Sequence, residues 1–173
     1  LATMITELTE DRQRNIVILQ LIKDIVKTTR QVLVLSDRRH HCEVMHQSFK
    51  KTSGLYMGGM KEADLAESSK KRIIFATFSQ AHEGLDIPTL DTVILATPKS
   101  DIVQSIGRIM RETKGKKNNP HIYDIFDQWS ICHAMYKKRL KVYKQGGFHI
   151  PILNSQKNED ETPFKKGECF INI

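Results

Sequence analysis

Gln104, Arg108 and Arg111 recur at i, i+4 and i+7 and would therefore share one stripe of a helix. Ile102, Ile106 and Ile109 keep the same rhythm about two residues out of phase, on the opposite side. Such a helix buries one face and presents two permanent charges on the other. A guanidinium donates in a planar fork and does not lose its proton, which suits a phosphate group. Gly107 leaves room beside the two arginines for a close neighbour. By spacing alone, however, the stripe reads first as the solvated basic face of an amphipathic helix.

A second group precedes it. In Glu83-Gly84-Leu85-Asp86-Ile87-Pro88, Gly84 permits a close backbone approach. Asp86 can accept a hydrogen bond from a ribose hydroxyl or from an arginine, and Pro88 forces the chain out of a helix. Taken alone the segment is a plain turn. His40, His41, Cys42 and His46 place Cys42 and His46 on one helical face, but no second pair of metal-ligating residues complements them. Adjacent Cys132 and His133 point apart on a helix and do not form a nucleophile pair.

The elements that carry these residues alternate. Apolar spacing predicts a helix over 11–29, capped by Thr9 or Asp11, and further helices up to Phe49, over 61–69, from Asp101, and over 128–144. Short apolar runs predict strands at 31–35, 55–57, 73–77, 92–96 and 122–126. Gly146-Gly147 ends the last helix. Continuous apolar strands alternating with helices imply an α/β fold with a mostly parallel sheet covered on both faces. Ligands then bind at the carboxyl ends of the strands, where the segments after residues 35, 77 and 96 would converge. Residues 1–150 form one domain in this reading. Residues 151–173 form a polar tail, loosely held or truncated.

The chain has 173 residues, a net charge of +7 and a pI near 9.3, a balance that favours a polyanionic partner. Lys137, Lys138, Arg139, Lys141 and Lys144 concentrate part of it on one helix, as a phosphate-tracking face or as solvated charge. Three scattered cysteines, Cys42, Cys132 and Cys169, suit a reducing intracellular compartment. No apolar run reaches the ~18 residues of a membrane span.

Thr77, then Glu83-Gly84-Leu85-Asp86-Ile87-Pro88, then Gln104-x-x-Gly107-Arg108-x-x-Arg111 resembles motifs V and VI of superfamily 2 helicases. Residues 31–37 sit where motif IV would, and Leu55-Tyr56-Met57-Gly58-Gly59 resembles the strand and loop that follow it. Order and spacing agree over about residues 30–145. The strand Tyr123-Asp124-Ile125-Phe126-Asp127 and the basic helix after it are most similar to XPB-type DNA helicases. They also resemble related helicases of poxviruses and African swine fever virus. Many family members carry Arg or His at the positions of Gln104 and Ser105, and the glutamine form suits the XPB-like branch.

The resemblance implies the second lobe of a RecA-like pair, in a three-layer fold, from an ATP-dependent helicase or translocase. It implies Arg111 as an arginine finger and Arg108 as a second γ-phosphate contact. Gln104, Gly84 and Asp86 would line the ATP cleft, with Asp86 near the ribose. Thr77, Ser36, Arg38, Gly58 and Gly59 would touch the nucleic-acid backbone, with DNA favoured over RNA, in host cytoplasm or virion if viral. The sequence holds no G-x-x-x-x-G-K-S/T phosphate loop: Lys114-Gly115-Lys116-Lys117 lacks the glycine spacing and the hydroxyl. Glu159-Asp160-Glu161 lies in the polar tail rather than after a strand. ATP and Mg²⁺ would thus be shared with an N-terminal lobe, and these residues alone would not hydrolyse ATP. The alternative is a non-enzymatic module that binds nucleic acid or recruits a partner. A metabolic nucleotide-binding enzyme would need a glycine-rich loop after the first strand, and Ser36-Asp37-Arg38-Arg39 is not one.

Overall fold

A computed structural model describes residues 1–110, 116–150 and 168–172, with only the backbone described at 108, 110 and 168–172. Six strands form one sheet in the order β2-β3-β1-β4-β5-β6. They are β1 (Val32–Ser36), β2 (Ser53–Tyr56), β3 (Ile73–Thr77), β4 (Thr92–Leu95), β5 (His121–Ile125) and β6 (Glu168–Asn172). Each neighbouring pair is parallel. Parallel neighbours need crossovers, and helices α1 (Ala2–Glu10), α2 (Arg12–Ile25), α3 (Arg39–Gln47), α4 (Glu62–Ser69), α5 (Phe78–Glu83), α6 (Val103–Met110) and α7 (Ser130–Gln145) lie between or before the strands.

The inner strands β1, β3 and β4 are apolar at nearly every position because both of their faces are covered. Leu33, Leu35, Ile74, Ala76, Val93 and Leu95 face one side and pack with α5, α6 and Tyr143 of α7. Val32, Val34, Ile73, Phe75, Ile94 and Ala96 face the other and pack with α2 and α3. The period of two along each strand thus sorts the core into two layers. The edge strand β2 lies against α4 so closely that a Cβ at Gly54 would stand 2.7 Å from Ser68.

Asp11 starts α2 by accepting from the backbone N–H groups of Gln13 and Arg14 at 2.8 and 3.1 Å. α7 stops at a left-handed Gly147 (φ +72°), and the Phe148 N–H returns to the Tyr143 carbonyl at 3.0 Å. Three elements lie outside the sequence expectations. α1 seats Met4, Ile5 and Leu8 against Cys132, α5 follows β3 at once, and β6 takes residues 168–172 of the expected tail into the sheet beside β5.

Candidate functional site

The register sets Ser36 beside Thr77 at the carboxyl ends of β1 and β3, with Tyr56 of β2 level with Ala76. The loops after β1, β2 and β4 are tied to one another along this edge. Arg39 reaches the Gly58 carbonyl at 3.1 Å and Glu43 at 3.1 Å. The Asp37 N–H donates to Thr97 Oγ1 at 2.9 Å, and Lys99 Nζ donates to Asp37 Oδ1 at 2.9 Å. Thr77 caps α5, its Oγ1 accepting from the Gln80 N–H at 3.4 Å and lying 3.1 Å from Ser79 Oγ. Gly58 and Gly59 are exposed, and Gly59 takes a positive φ of 81°.

Of the residues expected to face nucleic acid here, Ser36 turns inward and the half-buried Arg38 is bonded to α1. Ser36 is fully buried, and its hydroxyl belongs to a relay. Asn15 Nδ2 donates to the Thr9 carbonyl at 2.8 Å, so Asn15 Oδ1 is left to accept from His41 Nε2–H at 2.8 Å. His41 Nδ1 then accepts from the Ser36 hydroxyl at 3.0 Å, and Ser36 Oγ accepts from the Arg38 N–H at 3.1 Å. Burial, then repulsion from Arg14 and His40, pushes the His41 pKa down to about 4, so the imidazole is neutral as the relay requires. The Arg38 guanidinium is spent on α1, donating to the Ala2 carbonyl at 2.8 Å and Thr6 Oγ1 at 3.3 Å. Both side chains shape the loop. The exposed Arg39 and Ser79, which the sequence reading passed over, are the donors that the edge presents beside the two glycines.

A second group lies on the sheet face that carries α5 and α6. Ile102, Ile106 and Ile109 are buried there, at 1%, 2% and 0% exposure, and Gln104 and Gly107 on the other stripe are exposed. Arg108 belongs to α6, and Arg111 lies outside the described residues. α5 packs beside α6, so Gly84, at the end of α5, shares that face with Gln104. The Tyr56 hydroxyl lies 3.5 Å from the Gly84 carbonyl, joining this face to the end of β2.

Asp86 departs from the expected convergence at the carboxyl edge. It lines a shallow depression of about 450 Å³ with Gln31, Lys71, Arg72 and Thr89, beside the amino ends of β1 and β3. The cause is the crossover itself. From Gly84 the chain runs back toward the start of β4, burying Leu85, Ile87 and Leu90 and leaving Asp86 exposed between them.

The basic helix α7 is also corrected. Arg139 is 1% exposed. It donates to both oxygens of Asp124 at 2.7 and 2.9 Å and to the Lys99 carbonyl at 2.8 Å. Tyr143 donates to the same carboxylate at 2.6 Å. Burial alone would lower the Arg139 pKa, but Asp124 and then Tyr143 hold it above its ordinary value. A carboxylate inside an otherwise apolar strand was the available signal, since a buried charge needs a partner. Arg14 and Asp127 form a second inner pair, at 2.7 and 2.9 Å.

The suspected metal residues are used separately. Cys42 lies buried against the Ala76 carbonyl, its thiol pushed up to about 12 chiefly by burial. His46 pairs with Ser53 at 2.7 Å. Among the described residues, no three His, Cys, Asp or Glu side chains come together as a metal cage.

Residues 4–113 match the family described as "Helicase conserved C-terminal domain". L396 of Acanthamoeba polyphaga mimivirus, provisionally named an ATP-dependent RNA helicase, is 37% identical over 144 residues, which are 80% of this chain and 27% of that protein. QP509L of African swine fever virus (strain Badajoz 1971 Vero-adapted), named likewise, is 23% identical over 151 residues, 81% of this chain and 29% of that one. The chain thus spans less than a third of the length of these curated relatives. Among solved structures, T4 UvsW matches with a TM-score of 0.65 over 83% of this chain and 35% of that one. Its 19% identity makes that likeness one of fold.

Proposed function

This chain belongs to the helicase C-terminal domain family, and from that membership we propose that it is the second motor lobe of a superfamily 2, ATP-dependent nucleic-acid helicase or translocase. ATP, bound with Mg²⁺ between this lobe and an N-terminal one, supplies the phosphoanhydride whose hydrolysis drives the motor. The phosphate loop and the Mg²⁺ ligands are assigned to the N-terminal lobe. The residues of this lobe hold and orient. Gln104 stands beside the phosphates, and Arg108 and Arg111 offset the negative charge that develops on the transferring group. Gly84 lets the cleft close against backbone. Asp86 is assigned to the ribose at the far end of the same face.

The observation that carries this reading is the orientation of α6. Its two isoleucines, Ile106 and Ile109, and Ile102 just before it are buried against the sheet face, and Gln104 and Gly107 are exposed beside α5 and Gly84. A helix anchored in this way offers charge to a second body at little further ordering cost. The carboxyl edge of the sheet is the second surface. There the Gly58 and Gly59 backbone, Thr77, Ser79 and Arg39 are assigned to the nucleic-acid backbone, which gives little sequence specificity. The preference for DNA has no support beyond the XPB likeness, and the viral relatives are named RNA helicases. The proposal therefore covers both nucleic acids.

In the full-length protein, Arg111→Ala should lower the ATP turnover number by about 10³-fold or more while ATP binding is retained. Turnover near that of the wild type refutes the finger assignment. Purified residues 1–173 should show no ATPase activity with or without nucleic acid, and stimulated hydrolysis by them refutes the single-lobe reading.

A further inference from the structure

α7 differs from the other helices in its charge. Its sixteen residues contain five lysines and arginines and no carboxylate. Arg139 is consumed inside by Asp124. Lys137, Lys138, Lys141 and Lys144 are exposed, and none is paired with a carboxylate among the described residues. Other exposed helices here interleave their signs: Arg39 meets Glu43 at 3.1 Å on α3, and Lys70 meets Glu67 at 3.5 Å at the end of α4. A merely solvated face gains from such i, i+3 and i, i+4 pairs, and a one-sign face loses by repulsion. Among the described residues, α7 therefore holds a charge that no carboxylate compensates.

The geometry is that of a track. Lys137, Lys141 and Lys144 stand at i, i+4 and i+7 and so share one stripe. At ~1.5 Å rise per residue the stripe is about 10 Å long. One strand of a duplex advances ~3.4 Å per phosphate, so the stripe spans about three phosphates. Arg139 and Tyr143, both bonded to Asp124, hold the opposite side of the helix rigid. No large apolar side chain is exposed among the lysines; the exposed one on α7, Ile131, lies at its other end. A protein partner would need an apolar anchor at the centre of the contact, whereas a phosphate backbone needs only the charges.

We propose that the lysine stripe of α7 is a second contact for the nucleic-acid backbone, separate from the carboxyl edge of the sheet. It rests on the reading of the chain as a motor lobe that acts on nucleic acid. Ammonium groups act as point charges, so the contact is independent of sequence and of the directions of the phosphate oxygens.

The test uses the full-length protein and fluorescein-labelled DNA and RNA of unrelated sequences, single-stranded and duplex. Binding is followed by anisotropy between 50 and 200 mM KCl. Each phosphate contact contributes about 0.7–0.9 to the slope of log K against log salt. Lys137→Gln/Lys141→Gln/Lys144→Gln should make that slope shallower by about two to three and weaken binding at least tenfold at 50 mM, alike for all sequences. The triple arginine variant should keep the wild-type slope, which separates charge from packing. A glutamine variant with the wild-type slope overturns the inference and leaves the motor reading standing. Wild-type protein that binds no nucleic acid overturns both. A glutamine variant that keeps its slope but loses ATP hydrolysis assigns the stripe to another part of the motor, and this too overturns the inference.

Discussion

α6 and α7 lie on the same face of the sheet, both follow strands, and both contain basic residues, one on α6 and five on α7. Their buried sides differ. On α6 the buried positions Ser105, Ile106 and Ile109, with Ile102 just before the helix, carry no charge, and Gln104 and Gly107 are exposed. On α7 an arginine occupies the buried stripe, because Asp124 waits for it on β5. Beyond the amount of charge they hold, the helices differ in whether the sheet beneath offers a carboxylate, as Asp124 does under α7. A cation over an apolar sheet must turn outward and meet a ligand or water, whereas a cation over a carboxylate becomes part of the scaffold.

The largest effect expected from this contrast is at Asp124. Replacing it with Ala strands a buried guanidinium and a buried tyrosine hydroxyl, and should destabilise residues 1–173 by about 3–5 kcal/mol in urea unfolding. Asp124→Leu combined with Arg139→Met removes both charges and should recover much of that loss. If the double variant costs the sum of the two single ones, the pair is not coupled and Arg139 is no scaffold residue.

The layered architecture was readable in the sequence because its signals are local. Continuous apolar strands, the Asp11 cap and the Gly146-Gly147 stop all act within a few residues. The same holds for the two stripes of α6, whose phase is written in the spacing of its isoleucines. The relay through Asn15, His41 and Ser36 was not readable, since it joins α2, α3 and β1 across distances that no spacing encodes. Ser36 and Arg38 were therefore expected at the nucleic-acid edge and are instead spent on the interior and on α1. Asp86 was expected with Thr77, but the direction of a crossover is set by where the next strand must begin. β6 (Glu-Cys-Phe-Ile-Asn) lies at the end of a largely polar segment, and its partner β5 is more than forty residues away in sequence, a pairing no local signal encodes.

A smaller effect extends the contrast to a buried group that stays neutral. His41 titrates at about 4 in the folded protein, against 6.5 as an unperturbed histidine. The unfolded chain therefore binds a proton that the folded one refuses as pH falls from 6.5 toward 4. Its contribution to stability is complete above 6.5 and is lost across that window, by at most about 1.4 kcal/mol per pH unit. Urea unfolding of residues 1–173 at pH 7.5, 6.0 and 5.0 should show this loss. His41→Gln should make the pH dependence shallower but not flat, because burial and then Arg30 also push His121 down to about 4. An equally steep dependence in that variant would place the acid sensitivity elsewhere.

The smallest effect on stability is expected at Gln104. It is exposed, whereas Ile106 and Ile109 of α6 are buried against the sheet. Gln104→Ala should shift the unfolding free energy of residues 1–173 by no more than about 0.5 kcal/mol, as is usual for surface positions. In the full-length protein the same change should lower nucleic-acid-stimulated ATP turnover, because the outward stripe is the one assigned to the phosphates. The two measurements must separate for the contrast to hold. A fall in stability comparable to that of Asp124→Ala would make α6 a scaffold helix like α7. Unchanged turnover would leave the outward stripe as the solvated face that its spacing alone suggested.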